Sequence, residues 1–197
     1  DFLLRRALES AGLEARSVTI IVIKPPQMLP ALETGQIDAF IAWEPHATKA
    51  VTKGVGRVLL PSSQIWKDHP CCVVAAGEKA LKEKRDSIRS LLKAIAAGSD
   101  IIVRNKEKAL AAESRWTRTD HAVGRLSISR VTYVTRPDEG WLKAVDNWLD
   151  MMLSSRAFQK NLKDKSASDI RSIAFDLAPL KDALAGLPVH AGKIQNR

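Results

Sequence analysis

The sequence predicts an α/β fold in which a parallel-type sheet is followed by a helix-rich second half. Three observations carry this. Between residues 1 and 61, amphipathic stretches alternate with short runs rich in Val, Ile and Leu. Glycine or proline stands at most of the boundaries between them. From Gly77 onward the chain turns more charged, and its apolar residues recur at helical spacing. Helix and strand in alternation imply right-handed crossovers, and hence parallel strands.

Residues 1–13, DFLLRRALESAGL, predict an amphipathic helix. Phe2, Leu3, Ala7, Leu8 and Ala11 line its apolar side, Asp1 suits its positive end, and Gly12 stops it. Residues 17–23, SVTIIVI, have the composition of a strand buried on both faces. Lys24-Pro25-Pro26 breaks that run. A short helix follows from Met28, and Gly35 closes it, because a left-handed C′ residue is cheapest as glycine. Residues 38–42, DAFIA, form an apolar run of strand length. Residues 45–53 predict another helix opened by Pro45, 54–56 a turn, and 57–60 a third strand stopped by Pro61.

Residues 61–70 show no period and read as a connection, with Trp66 as a packing anchor. Residues 71–76, CCVVAA, predict a buried strand. Helices are expected over 86–103, with Ile88, Leu91, Leu92, Ile95 and Ile102 in register, and over 107–116 and 120–129. Thr119 or Asp120 can cap the last of these. After a brief extended stretch at 131–135, Pro137 opens a long helix with Asp138 and Glu139 in its first turn. Trp141, Val145, Trp148, Leu149 and Met152 mark its buried side. Residues 169–174 are a last packed piece, and 186–197 a loose tail.

Composition narrows the function. The chain has 197 residues, with 31 basic against 22 acidic, a net charge of +9 spread along its length. This charge reads either as a basic, soluble surface or as a field that attracts anions. No helix-turn-helix, RNA-recognition or zinc-finger pattern accompanies it, so nucleic acid is not an expected partner. The two cysteines, Cys71 and Cys72, are adjacent, and at least one is expected to be an inert core residue. Neither they nor the four histidines have metal-ligand spacing, so no metal or cofactor is expected. His69, beside them in sequence, does not by itself make a nucleophile pair. There is no GxSxG, Walker loop or GxGxxG. No apolar run reaches the roughly 20 residues of a membrane helix. The chain begins with Asp inside a helical pattern and reads as a piece of a longer protein.

The most informative stretch is residues 28–46, MLPALETGQIDAFIAWEPH. Helix, glycine turn and apolar run lead to Trp43, Glu44, Pro45 and His46 at a strand's carboxyl end, where open α/β sheets bind ligands. Each residue has two readings. Trp43 is a core ring or a cleft wall. Glu44 is a helix-end charge or an acceptor for a ligand amine or amide. His46 is a surface residue or a ligand contact. Gln27 offers a donor and an acceptor, and Met28 an adaptable apolar contact, also after a strand.

This block resembles the second lobe of the periplasmic substrate-binding proteins of ABC importers in the nitrate/sulfonate/taurine group, related to the NMT1-like proteins. The matching residues are Ala31-Leu32, Gly35, Ile37-Asp38-Ala39 and Trp43-Glu44-Pro45. Residues 69–77 and 130–152 resemble later blocks of the same family. The resemblance implies a two-lobed type II periplasmic-binding fold, here incomplete. Residues 1–61 would belong to the second lobe, 62–70 to an interlobe crossover, and 71–185 to a mainly helical return into the first lobe. It also implies a non-enzymatic, monomeric, extracytoplasmic protein. That protein would hold a small, anionic ligand by hinge closure and pass it to a membrane permease. Trp43, Glu44, His46, Gln27 and Met28 are the expected ligand contacts. Two alternatives share the architecture: a pyrimidine-precursor synthase-like enzyme of thiamine biosynthesis, and the effector-binding domain of a LysR-type regulator.

Overall fold

The computed structural model describes residues 2–154, 162, 164–185 and 187. The expectations for Asp1, for His190 and for nearly all of the tail at 186–197 lie outside the described residues. The described chain divides into two compact units, one of residues 2–67 with Ile102–Thr132 and one from Asp68–Ile101 with the described residues from Tyr133 on.

The first unit holds α1 (Phe2–Ser10), α2 (Pro25–Glu33), α3 (His46–Thr52) and α4 (Ser62–Ile65). The second contains α5 (Glu78–Glu83) and most of α6 (Arg85–Arg104). Helices α7 (Lys106–Thr117) and α8 (His121–Ser129) belong to the first unit. Helices α9 (Glu139–Ser154), α10 (Ala167–Ala174) and α11 (Ala178–Leu184) belong to the second.

The expected parallel sheet is not there. Among the described residues no strand forms, and the fold is helical, not α/β. The runs at 17–23, 38–42, 57–60, 71–76 and 131–135 have strand composition but no ladder partner. The physical reason is that β-branched residues favour an extended backbone locally, while a strand exists only through a second one. Unpaired, these runs also fail to bury their side chains. Val22 is 96% exposed, where a strand covered on both faces was expected, and Leu59 of the expected third strand is 72% exposed. Cys71 and Cys72 are likewise both exposed, not in a core.

The helices follow their sequence signals more closely. Prolines 25 and 26, expected as a break before a helix from Met28, instead occupy the first turn of α2, where a missing N–H costs nothing. Gly35 ends α2 with φ +69°. Its amide donates to the Leu32 carbonyl at 3.2 Å, and that of Gln36 to Ala31 at 2.9 Å, the paired bonds of a Schellman stop. Gly54 repeats the pattern after α3, through Val51 and Ala50. Asp120 caps α8 by accepting from the Ala122 amide at 2.7 Å. Asp138 does the same for α9 through Trp141 at 2.8 Å.

In the first unit α3 packs against α2 on one side and α8 on the other, and α7 packs against α8. Ala31 of α2, Thr48 and Ala50 of α3, Ala109 and Leu110 of α7, and Val123, Gly124 and Ser127 of α8 are buried. Arg6 stacks over the Trp66 ring at 5.3 Å, tying α1 to the end of α4. In the second unit α9 and α10 share a core of Val145, Leu149, Ala167 and Ile170, flanked by Trp141 and Phe175 edge to face at 6.0 Å. Ser166 and Asp169 close a capping box at the start of α10, and Arg171 pairs with Asp146 of α9 at 2.6 Å.

Candidate functional site

The site grows from the start of α3. The segment before it, Trp43-Glu44-Pro45, brings the chain into the helix with Pro45 at the N-cap. That entry turns the Glu44 side chain back over the first turn, and its Oε2 accepts the Thr48 amide at 3.1 Å. One of the four amides that a helix start leaves unpaired is satisfied this way, by a carboxylate at the positive end of the helix. The other oxygen of Glu44, Oε1, faces Arg130 at the C-cap of α8, with Nη1 at 3.3 Å. The same Nη1 donates to Thr48 Oγ1 at 2.9 Å.

Glu44, Thr48 and Arg130 therefore form a closed triangle between α3 and α8. Thr48 is fully buried, the Glu44 side chain is 15% exposed, and that of Arg130 32%. Such partial shielding makes charge-assisted bonds stronger than those of a surface pair.

Trp43 lies on the outside of this triangle. Its side chain is 62% exposed and meets the His46 ring edge-on at 5.9 Å. Burial holds the His46 imidazole below its ordinary pKa, Lys49 pushes it the same way, and Glu44 opposes them. His46 thus offers a neutral ring that can donate and accept.

The structure brings three of the five expected contacts together. Trp43, Glu44 and His46 are one group. Gln27 is exposed and Met28 half-buried on α2, the helix that packs against α3. Among the described residues, neither shares a hydrogen bond or ring contact with Trp43, Glu44 or His46. Thr48 and Arg130 were missed. Thr48 stands four residues after Glu44, a spacing that a capping search would notice. Arg130 is 86 residues away from Glu44, and no local signal links them. No group of three or more His, Cys, Asp or Glu residues able to hold a metal ion occurs among the described residues. Nor is any described helix long and apolar enough to cross a membrane.

Fold and site together define a helical chain with an aromatic, charge-paired surface at one helix start. The profile of the NMT1-like family matches residues 1–114, more than half of the chain, and the chain belongs to that family. The kinship expected from residues 31–45 is the kinship found.

Individual relatives point the same way. The chain is 34% identical over 71 residues to the nitrate/nitrite binding protein NrtA of Synechocystis sp., covering 36% of this chain and 16% of that protein. It is 32% identical over 87 residues to NrtA of Synechococcus elongatus, covering 44% and 18%. It is 31% identical over 96 residues to the nitrate import ATP-binding protein NrtC of Synechocystis sp., covering 48% and 14%. The matched segments thus span less than a fifth of the length of these relatives. No solved structure matches the chain.

Proposed function

We propose that this chain serves as part of the solute-binding component of an ABC-type importer, working outside the cytoplasm. It takes up a small anion of the nitrate, sulfonate or taurine kind and delivers it to a membrane permease. It is a binding protein, not an enzyme. The observation that carries the reading is the NMT1-like match over residues 1–114, which contains the whole Trp43-to-Thr48 segment.

The geometry supports it. Trp43 is an exposed ring able to cover a bound solute and exclude water from it. His46 adds a polar edge beside that ring. Glu44 uses one oxygen for each of its two partners, and a carboxylate has about four acceptor sites. It keeps capacity for a ligand amine. Gln27 and Met28 extend the surface along α2. The similarity to nitrate/nitrite binding proteins agrees with an anionic solute.

The test is calorimetry and tryptophan fluorescence on the full chain with nitrate, taurine, alkanesulfonates and pyrimidines. Binding tighter than about 1 mM by one of these, with the fluorescence response lost in Trp43→Phe, is the expected result. No binding in that range by any of them overturns the reading.

A further inference from the structure

Arg130 has an unusual division of labour. Its Nη1 carries both of its hydrogen bonds, to Glu44 Oε1 at 3.3 Å and to Thr48 Oγ1 at 2.9 Å. A guanidinium has five N–H donors in a fixed plane, three of them on Nε and Nη2. Among the described residues nothing accepts from those three. The clamped end rests on a fully buried threonine and a mostly buried glutamate, while about a third of the arginine side chain meets solvent.

We propose that Arg130 is an oxyanion-binding residue, presenting its Nε–Nη2 edge to two oxygens of a small anion while Glu44 and Thr48 hold its Nη1 in place. The inference rests on the solute-binding reading above and specifies the chemistry of that site. Two parallel N–H donors match two oxygens that share one central atom, as in nitrate, a carboxylate or a sulfonate. An unanchored arginine loses rotamer entropy on binding. Here the contacts to Glu44 and Thr48 have already fixed the side chain, which is the advantage of preorganisation. Glu44 lowers the net charge of the pair but sits on Nη1, away from the open edge. Lys49, one position after Thr48, adds positive potential to the same helix, close enough to influence His46.

The experiment uses the full chain and three substitutions read by calorimetry with nitrate, acetate, methanesulfonate and an uncharged pyrimidine. Arg130→Lys keeps the charge opposite Glu44 but has no fork. It is expected to weaken oxyanion binding about tenfold or more, with the far-ultraviolet dichroism unchanged. Arg130→Ala weakens it further. Thr48→Ser keeps the hydroxyl that orients Nη1 and leaves affinity within about threefold.

Oxyanion binding that survives Arg130→Lys at full strength overturns the inference and leaves the solute-binding reading intact. A chain that binds only the uncharged solute overturns the inference together with the anionic ligand of that reading. A chain that binds none of the four overturns both.

Discussion

Glu113 of α7 occupies the space that a side chain on Gly124 of α8 would need. A Cβ built at position 124 falls 3.2 Å from Glu113 Cδ and 3.2 Å from Leu110 Cδ2, and closer still to Glu113 Oε2. The absence of one methyl group thus lets two helices approach and seats a carboxyl group between them.

Gly124→Ala therefore sets two effects against each other. Alanine is the better helix former by about 1 kcal/mol. The added methyl presses on Glu113, whose carboxyl can swing away, and on Leu110, which is 2% exposed and has little room to move. Overpacking of a tight contact costs about 1–3 kcal/mol. The expected net result is a loss of about 1 kcal/mol in urea unfolding. A stabilised variant would show that Leu110 yields freely.

The same seat predicts a pH effect. Burial raises the Glu113 pKa above its ordinary 4.5, against the opposing charges of Lys49 and His121. On acidification the folded chain then takes up this proton before the unfolded chain does. Its contribution to stability is full below 4.5 and declines as pH climbs through the raised value. Glu113→Gln removes that decline. The variant should melt higher than the parent at pH 7, by a margin under about 1 kcal/mol after solvent screening, and equally below pH 4.5. Equal melting at both pH values would mean that the carboxyl is solvated in the folded chain.

Gly35 tests a backbone device in isolation. Nothing lies within 4 Å of a Cβ at this position, so only its φ of +69° resists a side chain. Gly35→Ala should cost about 1 kcal/mol, because the left-handed conformation penalises a Cβ by roughly 1–2 kcal/mol and glycine's larger unfolded entropy returns part of it. Gly35→Asn should cost less, since asparagine tolerates this region. If Ala and Asn behave alike, the Schellman stop is not what limits α2.

Helix positions were readable because their determinants are local. Gly12, Gly35 and Gly54 all have positive φ at helix ends, and Asp120 and Asp138 both cap the helices they precede. The register of α9 was legible in Val145 and Leu149, which are buried as their spacing implies. The predicted stripe on α6 was less faithful, for Leu91 and Ile95 remain exposed. Strands were misread for a different reason. Runs such as residues 17–23 record a preference for extension, and pairing depends on residues far away that the run itself does not name. The same distance hid half of the site. Trp43, Glu44 and His46 are contiguous enough to be read together, but Arg130 joins them only through the packing of α8 on α3.

The bare extended runs have a colloidal consequence. Val22, Leu59 and Val73 offer exposed, β-prone ground to neighbouring molecules, and the mutual repulsion of chains carrying +9 opposes their association. Added electrolyte shortens the reach of that repulsion to about 3 Å at 1 M. Concentrated stocks should therefore stay clear in dilute buffer and turn turbid as salt is added, the reverse of ordinary salting-in.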